Sequence, residues 1–361
     1  MKQVDAAMMT RALELARNGL CTATPNPRVG AVVAKGGKVV GEGWHEKAGA
    51  PHAEVVALKK AGKRAAGATL YVNLEPCAHH GRTPPCVDAI VAAKVKRVVA
   101  AMRDPNPEAG GGGKALIAAG IAFESGLMRD EAGELNIGFV SRVTRGRPWV
   151  RMKIAATLDG RTALADGRSQ WITGEEARRD GHAWRARACA ILTGIGTVKA
   201  DDPRLTVREV KTRRQPLRVI VDSRLETPPA SKILQGDKVL VFSATHGTLP
   251  NAEVVHLPNE NNKVELPEML EELARRGVNE LHVEAGFRLN GSLVREGCVD
   301  EFLVYLNPSF LGDSAQGMLD LPAFAALDRR LKLRLLAVDR VGGDLRILAR
   351  PAAAFSAASS T

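Results

Sequence analysis

Apolar positions in the first third of the chain recur in two rhythms. Met9, Leu13 and Ala16 fall on one face of a helix predicted over residues 5–19, with Asp5 as N-cap and Gly19 as terminator. The apolar runs 29–34 and 38–43 flank Lys35-Gly36-Gly37, a hairpin signal. A helix is predicted over 52–61, entered from Pro51, a buried strand over 70–73, a helix over 86–93 after Pro84-Pro85, and a strand over 97–101. The glycines 110–113 read as a loop before a helix at 114–119, and they lack the Lys-Ser/Thr ending of a phosphate-binding P-loop. Residues 130–143 read as one helix, and 145–148 as a linker.

Beyond the linker, strands are predicted over 149–157, 190–193, 218–222, 239–242, 281–284, 301–306 and 345–349. Helices are predicted over 267–276 and 288–295, and Thr173-Gly174-Glu175-Glu176 resembles a capping box for a helix through Arg187. Gly194-Ile195-Gly196-Thr197 reads as a glycine turn between a strand and a loop. Strand–helix alternation of this kind predicts an α/β layer fold. At 361 residues the chain suggests two domains, 1–147 and 148–350, followed by an Ala/Ser-rich tail, 351–361, expected to be disordered.

Composition narrows the classes. No apolar run is long enough to cross a membrane, and the N-terminus has no signal-peptide core, so a cytoplasmic protein is expected. Five scattered cysteines do not form a disulfide framework. The net charge of +11 invites a nucleic-acid partner, but residues 1–147 hold 21 Lys+Arg against 13 Asp+Glu, and aromatic residues are only 4%. That balance suits a phosphorylated small molecule as well as RNA, and it leaves few stacking platforms for bases.

The strongest chemistry lies at His52-Ala53-Glu54, Pro76-Cys77 and Cys86. A catalytic zinc takes three protein ligands and keeps an open position. His52, Cys77 and Cys86 supply one imidazole and two thiolates, which would leave a Zn²⁺ site formally neutral, and Glu54 adds a carboxylate for moving protons. His52 and Glu54 share the first turn of a predicted helix. Cys77 and Cys86 stand where further helices begin, and helix N-termini favour thiolate. A structural zinc with His79 or His80 as fourth ligand is the competing assignment.

The His-Ala-Glu and Pro-Cys elements resemble the cytidine-deaminase superfamily. Most of that superfamily has two residues between its cysteines, whereas eight separate Cys77 from Cys86. The insert His79-His80-Gly81-Arg82-Thr83-Pro84-Pro85, with Thr24-Pro25-Asn26-Pro27 and Asp104-Pro105-Asn106-Pro107, resembles the bifunctional riboflavin-biosynthesis deaminase/reductase family over nearly the whole chain. The resemblance implies an N-terminal cytidine-deaminase-like α/β/α layer domain and a C-terminal dihydrofolate-reductase-like α/β domain. It implies that His52, Cys77 and Cys86 bind zinc, that Glu54 is the proton shuttle, and that Asn26, His79, Arg82 and Thr83 contact substrate. The implied substrate is 2,5-diamino-6-ribosylamino-4(3H)-pyrimidinone 5′-phosphate, hydrolytically deaminated and then reduced from ribosyl to ribityl.

The second half lacks the Gly-x-Gly-x-x-Gly of a Rossmann domain. Leu158-Asp159-Gly160-Arg161, Ser169-Gln170-Trp171-Ile172-Thr173, Thr197-Val198-Lys199-Ala200-Asp201-Asp202-Pro203 and Val283-Glu284-Ala285-Gly286 resemble the reductase half of the same family, which uses NADPH. The resemblance implies nucleotide contacts from Ala155, Trp171, Thr197, Asp201, Ser223 and the segment Gly286, Phe287, Arg288, Leu289, Asn290, Gly291 and Ser292. Ser169, Arg185, Leu205, Arg208 and Glu284 would contact substrate, and Asp201 and Lys153 would handle protons. Many relatives read Asp-Ser-x-Leu-Arg-x-Pro, whereas this chain has Glu226 at the arginine, so Arg224 is expected to take over any contact to a 2′-phosphate. Neither a nucleic-acid nor a membrane partner is implied, and a homo-oligomer is expected. The alternatives are a nucleobase or RNA deaminase with an accessory domain, and a zinc-stabilised binding module.

Overall fold

The computed structural model describes residues 2–81, 84–237 and 239–352, and the chain divides into two compact units, Met1–Gly146 and Arg147–Thr361. The first unit runs α1 (Lys2–Arg17), β1 (Gly30–Lys35), β2 (Lys38–Trp44), α2 (Ala53–Ala61), β3 (Thr69–Leu74), α3 (Cys86–Ala92), β4 (Arg97–Met102), α4 (Gly112–Ala118), β5 (Ala122–Ser125), α5 (Arg129–Leu135) and α6 (Ile137–Arg145). Its sheet has the order β2-β1-β3-β4-β5. β1 is antiparallel to β2 and β3, and β3, β4 and β5 are parallel. The close seat of α2 on β2 depends on a missing side chain: a Cβ at Gly41 would run into the α2 backbone at Ala57 and Ala61.

Two predicted boundaries moved for physical reasons. The single helix over 130–143 is broken at Asn136, whose buried side chain accepts the Arg28 N–H at 2.7 Å and donates to the Arg28 carbonyl at 3.0 Å. The Arg28 guanidinium then takes the Leu135 carbonyl at 2.7 Å, an acceptor that a continuing helix would have used itself. The glycine stretch at 110–113 is not all loop, because α4 begins at Gly112. A Cβ at Gly112 would collide with the Pro76 carbonyl, one residue before Cys77. Gly112→Ala is therefore expected to cost about 1–3 kcal/mol, the range for overpacking, and to lower zinc retained per chain, read by thermal unfolding and metal analysis.

The second unit runs β6 (Trp149–Thr157), β7 (Arg161–Ala163), α7 (Glu175–Arg187), β8 (Ala190–Gly194), α8 (Ile195–Asp201), β9 (Leu217–Val221), β10 (Val239–Ser243), β11 (Ala252–His256), α9 (Leu266–Arg275), β12 (Glu280–Val283), α10 (Phe287–Arg295), β13 (Glu301–Asn307), β14 (Gln316–Gly317), β15 (Leu333–Val341) and β16 (Asp344–Pro351). Nine strands form one sheet in the order β11-β10-β9-β8-β12-β6-β13-β16-β15. The seven from β11 to β13 are parallel, and β16 and β15 add an antiparallel edge. Buried runs such as Ala190–Gly194 and Val239–Ser243 are what a parallel strand covered on both faces requires. In such sheets ligands gather beyond the carboxyl ends of the strands.

Here too the structure differs from expectation. The predicted capping box does not form. The N-cap of α7 is Gly174, and its N–H is taken at 2.7 Å by Asp344, at the start of β16. The predicted glycine turn after β8 is the start of α8. β16 continues through Pro351, and the Ala352 N–H donates to the Lys332 carbonyl at 2.9 Å, so the expected disordered tail does not begin at 351. The rest of that tail, 353–361, lies outside the described residues.

Candidate active sites

In the first unit three elements converge. His52 stands at the N-cap of α2 in extended backbone (φ −70°, ψ 158°), and its carbonyl accepts the Val56 N–H. This sets Glu54 in the first turn, buried at 3% exposure. Cys77 follows β3, and Cys86 opens α3, where its backbone N–H donates to the Cys77 sulfur at 3.4 Å. His52 Nδ1 lies 3.1 Å from Cys86 Sγ and 3.6 Å from Cys77 Sγ, and all three ligand atoms lie within 4.8 Å of one another. Tetrahedral zinc with ordinary Zn–S and Zn–N lengths spaces its ligand atoms roughly 3.6 Å apart, so the donor set and its spacing fit that ion. His79 and His80 are exposed and do not join the cluster, so among the described residues the site has three protein ligands rather than the four of a structural site.

Charge in the pocket is arranged around that cluster. The hydrogen bond with Cys86, and then that with His52, pulls the Cys77 thiol down to about 4, while Cys86 is pushed up by the same shared proton and by burial. The His52 imidazole is raised by its bond with Cys77, and burial raises the Glu54 carboxyl. Glu54 Oε2 is buried with no hydrogen-bond partner among the described residues.

Asn26 is held by a residue that the sequence did not single out. His45, 2% exposed, donates from Nδ1 to the Pro51 carbonyl at 3.2 Å and so accepts at Nε2 from the Asn26 amide at 3.0 Å. Its ring also meets His52 edge-on, with centroids 5.3 Å apart. Glu75, equally unflagged, is buried and accepts from the Gly113 N–H in the first turn of α4 at 2.7 Å and from the Asp104 N–H in the loop after β4 at 3.2 Å. Burial, with the Glu75 and Cys77 charges adding, raises the Asp104 carboxyl to about 6. Nothing in the local sequence of His45 (Trp44-His45-Glu46) or Glu75 (Leu74-Glu75-Pro76) announces such roles. Arg82 and Thr83 lie outside the described residues.

The second unit holds a cavity of about 1420 Å³. Single small-molecule pockets run to roughly 1000 Å³, so there is room for a dinucleotide beside a substrate. Lys153 and Ala155 come to its wall from β6, Ser169 and Trp171 from the segment before α7, and Arg185 from α7 itself. Thr197 and Asp201 come from α8, Leu205 and Arg208 from the segment after it, and Ser223 from beyond β9. Glu284, Gly286, Phe287, Arg288, Leu289, Asn290 and Ser292 line it from the end of β12 and from α10. Gly291 does not line it, for its Cα packs on the backbone of Asp320, where a Cβ would collide. The N-terminus of α10 has no side-chain cap, and its N–H groups suit a phosphate. Asn290 donates to the Ala285 carbonyl at 3.1 Å while its buried Oδ1 has no partner among the described residues. These features fit a nicotinamide dinucleotide.

Glu284 is the centre of charge. Arg185 grips both of its oxygens, His282 Nε2 lies 3.4 Å from Oε1, and Lys153 Nζ lies 4.0 Å from Oε2. Burial opposes the carboxylate, yet Arg185 holds it well below the usual range, and burial lowers the Lys153 ammonium. Asp201 accepts from the Ser169 hydroxyl at 3.4 Å, and the Ser223 hydroxyl accepts the Val264 N–H at 3.2 Å. Trp171 is 70% exposed beneath the Arg178 guanidinium. Glu226 is paired with Lys199 at 2.5 Å and Arg224 at 2.7 Å, so its charge is balanced within the cavity wall.

Residues 2–102 match the cytidine and deoxycytidylate deaminase zinc-binding region, and residues 148–347 match the RibD C-terminal domain. Riboflavin biosynthesis protein RibD of Escherichia coli (strain K12) is 44% identical, covering 94% of this chain and 98% of that protein. The Haemophilus influenzae protein of the same name is 45% identical over 96% of this chain and 97% of its own. Among solved structures, Acinetobacter baumannii RibD has a TM-score of 0.90 at 41% identity, covering 97% of this chain and 99% of that one. A diaminohydroxyphosphoribosylaminopyrimidine deaminase/5-amino-6-(5-phosphoribosylamino)uracil reductase from Thermotoga maritima has a TM-score of 0.89 at 33% identity, with coverage of 97% and 99%. A zinc-binding deaminase region joined to a reductase domain is the class that fold and sites define. The chain belongs to the RibD family.

Proposed function

We propose that the first unit removes the ring amine of a phosphorylated diaminopyrimidine ribotide by hydrolysis, and that the second reduces the ribosyl chain of the product. The chain is a bifunctional deaminase and reductase of riboflavin biosynthesis. The observation that carries the first half is the three-ligand cluster and, beside it, the buried Glu54 Oε2 with no hydrogen-bond partner among the described residues. Zinc, when bound there, supplies the Lewis acidity that makes water a nucleophile near neutral pH. Glu54 would take one proton from the attacking water and give it to the ring nitrogen, then take the second from the hydroxyl added to the ring carbon and give it to the amine, so that the C–N bond breaks, ammonia leaves and a carbonyl remains. Asn26, its amide hydrogen held by His45, presents its oxygen to an N–H donor of the pyrimidine.

In the second unit NADPH, when bound, supplies the hydride, and the protein's part is to align it with the sugar carbon. Thr197, Ser223 and the α10 N-terminus hold the nucleotide in this reading. Glu284 orients the ribose, fixed by Arg185, and Lys153 or Asp201 handles the proton that accompanies ring opening. The compartment proposed is the cytoplasm, where the five free cysteines, two of them needed as thiolates, stay reduced. No helix among the described residues is long and apolar enough to cross a membrane. A homo-oligomer is supported by β15, the sheet's edge strand, which exposes Leu333, Leu335 and Val338, a liability that a second copy would cover.

The test is to supply the diaminopyrimidine ribotide with and without NADPH. Ammonia should be released in both cases, and NADPH oxidised only after it. Ammonia without any NADPH oxidation would sink the two-step reading.

A further inference from the structure

His182 lies on α7 and is only 7% exposed, yet it reaches the wall of the cavity in the second unit. Its Nδ1 accepts the backbone N–H of Arg208 at 3.1 Å. A ring nitrogen that accepts carries no proton, so the neutral imidazole has its proton on Nε2. The ring stays neutral, because burial, and then the charges of Arg185 and Arg208, hold it down at about 4. Nη1 of Arg185 stands 3.4 Å from that Nε2. Both atoms are donors, so neither can satisfy the other.

Three of the five N–H groups of Arg185 are committed elsewhere. Nε and Nη2 grip Glu284, and Nη1 also donates to the Thr206 carbonyl at 3.2 Å. Without an acceptor among the described residues are the Nε2–H of His182 and, on Arg185, one N–H of Nη1 and one of Nη2; the His182 N–H and the Nη1 N–H stand on atoms 3.4 Å apart at the cavity wall. One acceptor oxygen placed there would take both. The surroundings decide its charge. Arg185 and Arg204 both lie near enough to Arg208 to be felt electrostatically, and of the two acids near it Glu284 is already neutralised while Glu209 is exposed. An anionic oxygen is favoured over a neutral one.

We infer that His182 is a substrate-binding residue of the reductase site, whose Nε2–H, together with Nη1 of Arg185, takes a phosphate oxygen of the phosphorylated substrate. This rests on the reduction reading above.

The two ring nitrogens can be tested apart. His182→Asn keeps an acceptor for the Arg208 N–H but removes the outer donor, whereas His182→Gln carries an amide donor out to the Nε2 position. The ligands are the phosphoribosylaminouracil and its dephosphorylated counterpart, with dissociation constants measured in the presence of NADP⁺. His182→Asn should weaken the phosphorylated ligand about 10- to 100-fold, the span for a hydrogen bond to a charged group, and leave the dephosphorylated one unchanged. His182→Gln should recover most of the loss. In the wild type, the Nε2–H proton resonance of His182 should move with the phosphorylated ligand alone, a readout that depends on no variant folding. Equal losses for both ligands, no loss, or a resonance indifferent to the phosphate would overturn the assignment. If the wild type neither binds nor reduces the phosphoribosyl compound, the reduction reading itself fails; normal wild-type turnover with unaltered phosphate discrimination in the variants sinks His182 alone.

Discussion

Glu54→Gln is expected to lower ammonia release by about 10²–10⁴, the usual contribution of general acid–base catalysis, and to leave zinc in place. The amide has the size of the carboxyl it replaces, and none of the three ligand atoms belongs to residue 54. The buried Oε2 has no partner among the described residues, so the substitution breaks no structural hydrogen bond at that atom. What is lost is the ability to accept a proton and return it. Metal analysis should give the same zinc per chain as the wild type, and the reductase step should proceed normally on deaminated substrate supplied directly. Loss of zinc along with activity would make Glu54 a structural support. Turnover within a few fold of the wild type would remove it from the chemistry.

That site was the most legible part of the chain, and the reason is physical. A metal cluster needs particular donor types, and His52, Cys77 and Cys86 come from short segments whose positions follow from Pro51, Pro76 and the strand before Cys77. Period-2 and period-3.6 patterns likewise announce most of the buried strands and amphipathic helices. Long-range polar contacts leave no such mark. Nothing near Asn136 predicts that its amide bridges to Arg28, more than a hundred residues away, and ends a helix there. Asp344 capping α7 is hidden in the same way, as are the His45 and His182 tautomers, each set by a backbone group outside the residue's own element. Other elements were missed as well: α8 has seven residues, too few to show a period, and β15, though nine residues long, is an exposed edge without clean alternation. The second site is harder to read than the first because its wall is gathered from many strand ends, each contributing one or two residues.

The largest stability effect is expected at Arg151, the bulkiest fully buried side chain. It lies on β6, opposite His282 of β12 and Glu301 of β13 in the parallel registers. Its Nε donates to Glu301 at 2.5 Å, its Nη1 donates to Glu280 at 3.0 Å, and its guanidinium lies 4.4 Å from the Trp184 ring centroid. The arginine thus joins three adjacent strands and α7. Arg151→Met fills a similar volume but leaves two buried carboxylates without their shared cation. Breaking a buried pair this way costs about 3–5 kcal/mol. Arg187 on Glu280 and Arg350 on Glu301 remain to soften it, which favours the lower end. Domain stabilities run to about 5–15 kcal/mol, so the second unit should unfold at clearly lower urea while the first keeps its own transition. Trp149, Trp171 and Trp184 all lie in the second unit, so tryptophan fluorescence reports chiefly on it. The effect reaches function through β6, because Lys153 and Ala155 follow Arg151 on the same strand. Loss of NADPH oxidation should track the unfolding curve, with ammonia release persisting beyond it. An unchanged midpoint would mean that the two carboxylates are held by Arg187 and Arg350 alone.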